Sequence, residues 1–140
     1  MSSFKIFDIA GSGMAAESVR LNTVASNLAN AESVSNDPAT AYKAKHPVFE
    51  SVRALVGAGA LGQSGAAVRV NSIVENQAPA TARYEPGNPL ANADGYVFAP
   101  NVNSIEEMVD MISASRAYQN NVEVMNTSRD LLLATLKLGQ

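Results

Sequence analysis

From Ser104 to Leu138 the chain runs 35 residues without a glycine or a proline. Along that stretch Met108, Met111, Ser115, Tyr118, Val122, Met125, Arg129, Leu132 and Leu136 fall at alternating steps of three and four. A mean step of about 3.5 is the period of a helix that packs along a partner helix with a left-handed supercoil. Ser104 followed by Glu107 is an S-x-x-E capping box and marks the start of the helix. At a rise of about 1.5 Å per residue the helix spans roughly 50 Å, more than a compact domain of this size needs. It requires a partner. Ser115 and Arg129 weaken a uniform apolar seam but can fix register and partner choice.

A partner is available at the other end of the chain. Phe7, Met14, Leu21 and Leu28 recur at intervals of seven, with Ala10, Val24 and Ala31 between them. Ala15, Ala16, Ser18, Ala25, Ser26 and Ala29 flank the stripe and allow close approach. Gly11-Ser12-Gly13 interrupts the first turns, and each glycine costs about 1 kcal/mol relative to alanine in a helix. Residues 14–31 are therefore the firmer part of this helix. An ordinary amphipathic core helix explains either stripe alone, but finding both at the two ends of a short chain favours pairing and predicts a mainly α fold with the terminal helices paired as a coiled coil. The chain divides accordingly into an N-terminal helix (1–34), a central loop and small β module (35–103) and a C-terminal helix (104–140).

The central region is of a different kind. Ser33 to Thr40 is a loop by composition. Val48, Val52, Leu55 and Val56 fit either a short amphipathic helix or a strand. Gly57 to Ala67 is glycine- and alanine-rich and reads as a flexible loop. Val68 to Val74 alternates as a strand does. Arg83 to Pro89 is turn-rich, and Asp94-Gly95 leads into a short strand at Tyr96-Val97-Phe98.

Composition narrows the function. Only 16% of the 140 residues are charged, against about 25% in an ordinary soluble domain. A surface poor in charge and rich in Asn, Gln and Ser is suited to protein contacts. The net charge of −3 and scattered basic residues argue against nucleic acid as a partner. No cysteine is present, which excludes disulfides and thiolate metal sites. Lys5 and Asp8 break the N-terminal apolar run that a cleaved signal peptide needs. No apolar run is long enough to span a membrane.

Catalytic, cofactor and metal sites are not expected. His46 is the only histidine, so histidine-pair zinc motifs cannot form, and it reads as a surface group. Gly11-Ser12-Gly13 has neither a preceding strand nor a following phosphate-binding lysine. Glu106, Glu107 and Asp110 cluster where the dipole at a helix N-terminus favours carboxylates, and they too read as surface groups.

Several segments resemble one family. Leu21 to Ala31, containing Asn27-Leu28-Ala29-Asn30, is similar to the N-terminal signature of bacterial flagellar basal-body rod and hook proteins. The Gly-Tyr-Lys element of that family has its counterpart in Tyr42-Lys43, after a longer loop and with Ala41 replacing the glycine. That longer loop resembles the proximal rod members, as do Asp94-Gly95-Tyr96-Val97, Pro100-Asn101-Val102-Asn103, Glu107-Met108-Val109, Arg116 to Val122 and the end from Leu132-Leu133 to Leu138-Gly139. Residues 48–83 add little to the match.

The resemblance implies a structural subunit that stacks helically into the hollow rod spanning the periplasm, transmits torque and lines part of the export channel. It implies export without a cleaved signal through the flagellar type III apparatus, with Phe4, Ile6 and Phe7 in an apolar export signal. The implied partners are further copies of the chain, neighbouring proximal rod proteins, the motor–rod adaptor and the distal rod protein. The helix-pairing residues are then Phe7, Met14, Leu21, Val24, Leu28, Met108, Met111, Tyr118, Val122, Met125, Leu132 and Leu136. An alternative is a cytoplasmic helical adaptor or export chaperone, which would show the same paired helices but fold and dimerise in the cytoplasm.

Overall fold

The computed structural model describes residues 3–53 and 66–138, with side chains for 5–52 and 66–138. The loop expected at 57–67 lies outside these residues except for Ala66 and Ala67, as do Leu55, Val56 and Gly139. The side chain of Phe4 is likewise outside them. In chain order the elements are α1 (Ser3–Asn30), β1 (Lys45–Arg53), β2 (Ala66–Glu75), β3 (Thr81–Tyr84), β4 (Tyr96–Ala99) and α2 (Ser104–Leu138). Two long terminal helices thus carry a small β-containing module between them.

The helices pack side by side and antiparallel. Ile6 lies by Leu131 and Leu132, Gly13 by Asn121, Arg20 by Asp110 and Asn27 by Glu107. As one number rises, the other falls. α1 passes through Gly11-Ser12-Gly13 without a break, contrary to the weakness expected there. The physical reason lies across the seam: a Cβ on Gly13 would stand 2.8 Å from the Asn121 amide nitrogen, so glycine lets α2 approach. Ser12 contributes too. Its hydroxyl donates to the Ile9 carbonyl at 2.8 Å and accepts the Val68 N–H at 3.2 Å, tying α1 to β2.

The β module consists of two antiparallel pairs. β1 pairs with β2 from Lys45↔Glu75 to Arg53↔Ala66, with a bulge between Val48 and Phe49. The ambiguous segment at 48–56 is thus a strand as far as it is described. β3 pairs with β4 from Thr81↔Ala99 to Tyr84↔Tyr96. The sequence marks only the last two residues of β3, Arg83 and Tyr84, and those as part of a turn-rich stretch. Gly95 has φ +82°, where a Cβ would also meet the Tyr84 ring at 2.9 Å. The Asn92 carboxamide oxygen accepts the N–H groups of Asp94 and Tyr96 and closes this turn. A bridge between Ser35 and Phe98 fastens the segment after α1 to β4.

α1 is the central element, with α2 packed on it and β1–β2 also against it. The buried apolar residues are Ala10, Ala16, Val24, Ala41, Ala44, Val97 and Ala114. Alanines bring backbones close but remove little apolar area from water, and hydrophobic stabilisation scales with that area. Meanwhile Ile105, Val109, Ile112, Leu131, Leu136 and Leu138 are exposed on α2. Much of the large apolar surface of this helix thus lies outside the intramolecular core.

Candidate assembly surface

At the base of the helix pair stands a buried polar junction. Asn27, 0% exposed, uses its whole carboxamide. Its Nδ2 donates to the Lys45 carbonyl and to Glu107 Oε1, both at 2.9 Å. Its Oδ1 accepts the Lys45 N–H at 2.8 Å and the Tyr42 hydroxyl at 3.0 Å. The Tyr42 oxygen also lies 3.0 Å from Ser26 Oγ. One side chain of α1 thereby fixes the start of β1, the loop before it and the first turns of α2. Asn101 acts similarly on the other side: it accepts the Ala44 N–H and donates to the carbonyls of Asn76 and Ala78.

Glu107 is not the surface group that the sequence suggested; it is 5% exposed. Burial pushes its carboxyl above the ordinary glutamate value. The hydrogen bond from Asn27 and the charge of His46 oppose that shift, while Asp110 and Glu106 reinforce it. Nor does Ser104 cap the helix. Asn103 does, its side-chain oxygen accepting the Ile105 N–H and its carbonyl the Glu107 N–H. A carboxylate at N3 of a capping box would turn back to its own helix; Glu107 instead turns inward to α1. His46 and Glu106 are exposed, as expected.

The assembly residues named from the sequence occupy distinct places. Val24 is buried, and Phe7, Met14, Leu21, Leu28, Met111, Val122, Met125 and Leu132 are half-buried along the seam or beside it. Tyr118 is at the edge of exposure, while Met108 and Leu136 are exposed. The centre of the α2 seam is carried by Glu107, Ala114 and Asn121, at steps of seven. The apolar stripe therefore flanks the intramolecular contact. Close approach at Ala10, Gly13 and Ala16 leaves room only for small or hydrogen-bonded residues between the helices. Of the motif residues, Asn27 forms the junction, Leu28 is half-buried, Ala29 is exposed, and Asn30 bonds back to the Ser26 carbonyl. Tyr42 joins the junction, whereas Lys43 has no place in it.

Sequence reasoning missed Glu107 and Asn101 as structural groups. Both stood in segments that carry the family resemblance, Pro100-Asn101-Val102-Asn103 and Glu107-Met108-Val109, but the spacing of Glu107 also satisfied a local capping rule that hid its role. Beyond the junction, Ile6, Ser128, Leu131, Leu132 and Thr135 line an apolar groove of about 110 Å³ at the far end of the helix pair. Among the described residues no group of acidic or histidine side chains is placed to hold a metal ion, and no helix is long and apolar enough to cross a membrane.

Residues 7–36 match the family described as Flagella basal body rod protein. Residues 93–138 match the one described as Flagellar basal body rod FlgEFG protein C-terminal. The chain is 54% identical to the flagellar basal-body rod protein FlgC of Salmonella typhimurium and 53% to that of Escherichia coli O157:H7, in each case over the full length of both chains. It is 33% identical to the FlgC protein of Bacillus subtilis, again with both chains covered completely. These relatives are named as rod proteins of the flagellar basal body, a structural part. With both of its helices matched and its whole length aligned, the chain belongs to the flagellar basal-body rod protein family, among the FlgC proteins.

Proposed function

We propose that this chain is a structural subunit of the proximal rod of the flagellar basal body and polymerises helically through its terminal helices. The observation that carries the reading is the apolar surface that α2 leaves uncovered: Glu107 and Ala114 are its buried residues, while Ile105, Val109, Ile112, Leu131, Leu136 and Leu138 stand exposed. Contiguous exposed apolar surface marks contact with another protein. In the assembled rod the α1–α2 pair forms a coiled-coil segment of the axial core (1–34 and 104–140), transmits torque and walls part of the export channel. The module at 35–103 lies outside it. The partners are further copies, neighbouring proximal and distal rod proteins and the motor–rod adaptor. The subunit reaches the periplasm through the type III export apparatus without a cleaved signal, and Phe4, Ile6 and Phe7 belong to the export signal.

The test is assembly in cells that depend on this chain. Ile112→Asp and Leu136→Asp alter exposed positions, so the subunit should fold and be exported in normal amount yet build no rod, hook or filament. Normal swimming by both variants sinks the proposal. Accumulation of a stable folded dimer in the cytoplasm would favour the adaptor reading instead.

A further inference from the structure

The Asn27–Glu107 contact has a chemistry that the assembly role does not use. Asn27 is saturated: both amide hydrogens and both acceptor positions of its oxygen are taken. It can therefore give Glu107 one hydrogen bond and no second. Glu107 Oε2 is fully buried and meets no partner among the described residues. An ionised carboxylate there would hold a full charge on one hydrogen bond, an expensive state in a low-dielectric setting. The dipole at the start of α2 favours the ionised form, but burial outweighs it, and the neighbouring charges do not repair the cost. From α1, Arg20 is committed to Asp110 at 2.8 Å and approaches Glu17 at 3.8 Å. From β1, the Lys45 ammonium stands 5.7 Å over the Tyr42 ring, and only His46, itself exposed, attracts the carboxylate. On α2, Glu106 and Asp110 repel it.

We propose that Glu107 is a proton-operated latch at the base of the helix pair: protonated, it seats the first turns of α2 against Asn27 and the start of β1, and ionised, it loosens them. The proton is released to solvent as the latch opens. The folded junction holds the proton more tightly than the unfolded chain does. Its contribution is therefore complete below the ordinary value of 4.5 and is lost as pH rises through the higher folded-state midpoint. The latch is a property of the single chain and stands apart from the rod reading.

Carboxyl NMR titration of the full chain, paired with amide exchange corrected for its intrinsic pH dependence, tests it. Glu107 should titrate above the ordinary glutamate value of 4.5, and protection of the Lys45 and Glu107 amides should fall across the Glu107 midpoint. The fall should be about tenfold for each unit by which that midpoint exceeds 4.5. Glu107→Gln, which keeps an oxygen for Asn27, should abolish the pH dependence. His46→Ala, at an exposed position, should move the Glu107 midpoint further up and keeps the test decisive if Glu107→Gln does not fold. A Glu107 midpoint at or below 4.5, pH-independent protection in the parent chain, an unmoved midpoint in His46→Ala, or a pH-dependent fall that persists in Glu107→Gln each overturns the latch.

Discussion

Replacing Asn27 by Ala removes four hydrogen bonds and leaves the Lys45 N–H, the Lys45 carbonyl and Glu107 Oε1 without their partner. Each buried group stranded in this way costs about 1–3 kcal/mol. Asn27→Ala should therefore lose on the order of 3 kcal/mol or more, read as a lower urea midpoint of the isolated subunit. The two helical glycines should separate cleanly. A Cβ at Gly11 meets nothing within 4 Å, so Gly11→Ala should stabilise by about 0.5–1 kcal/mol. At Gly13 the same gain is offset by displacing the Asn121 amide, and Gly13→Ala should fall below Gly11→Ala in thermal unfolding. Asn27 was legible from the sequence as part of a motif, without any account of what it binds. Glu107 was not legible, because a capping box and a buried tertiary contact place the same residue type at the same position. Sequence spacing follows the local rule, and the contact with α1 decides.

The helices were the most legible elements, since a helical period sustained over many turns marks a helix whether it packs as a coiled coil or as an ordinary amphipathic core helix. The orientation of their apolar stripes was less so. Period locates a face but not the residues at its centre, and that centre is set by how closely the backbones approach. β2 and β4 were visible in their alternation and in the Asp94-Gly95 turn. β1 was ambiguous because Val48, Val52, Leu55 and Val56 fit a helical period as well, and β3 is only four residues long. The two kinds of position on the helices predict two kinds of defect. Val24→Asp places a carboxylate where the side chain is 4% exposed, and the chain should lose several kcal/mol by circular dichroism unless the group protonates. Leu136→Asp, at a position 67% exposed, should stay within about 0.5 kcal/mol of the parent chain. Its effect should appear only when copies assemble.

For the whole molecule, the distribution of buried groups implies a gradient of local stability. The junction of Asn27, Tyr42, Lys45 and Glu107 anchors one end of the helix pair, with Asn101 beside it. Towards the other end, Leu131, Leu133, Leu136 and Leu138 stand exposed with little covering them. Local opening follows such differences in burial. Below the Glu107 midpoint, amide exchange of the isolated chain should be slowest around Asn27 and Glu107 and should quicken steadily through residues 124–138. Uniform protection along α2 would contradict this. Assembly should remove the gradient as the outer apolar faces are covered.

The antiparallel arrangement also governs timing. Ile6 lines the same groove as Leu132 and Thr135, so the packing of α1 on α2 joins nearly opposite ends of the sequence and encloses almost the entire chain in one loop. Loop-closure entropy must be met before such contacts can stabilise anything, and folds dominated by them form slowly. Neither terminal helix can complete its long seam until the other is present, whichever end of the polypeptide arrives first. A chain delivered in order along its length would thus remain uncommitted until delivery is nearly finished. The pairing of its two ends is then the last event of folding, and it coincides with the moment the subunit becomes whole.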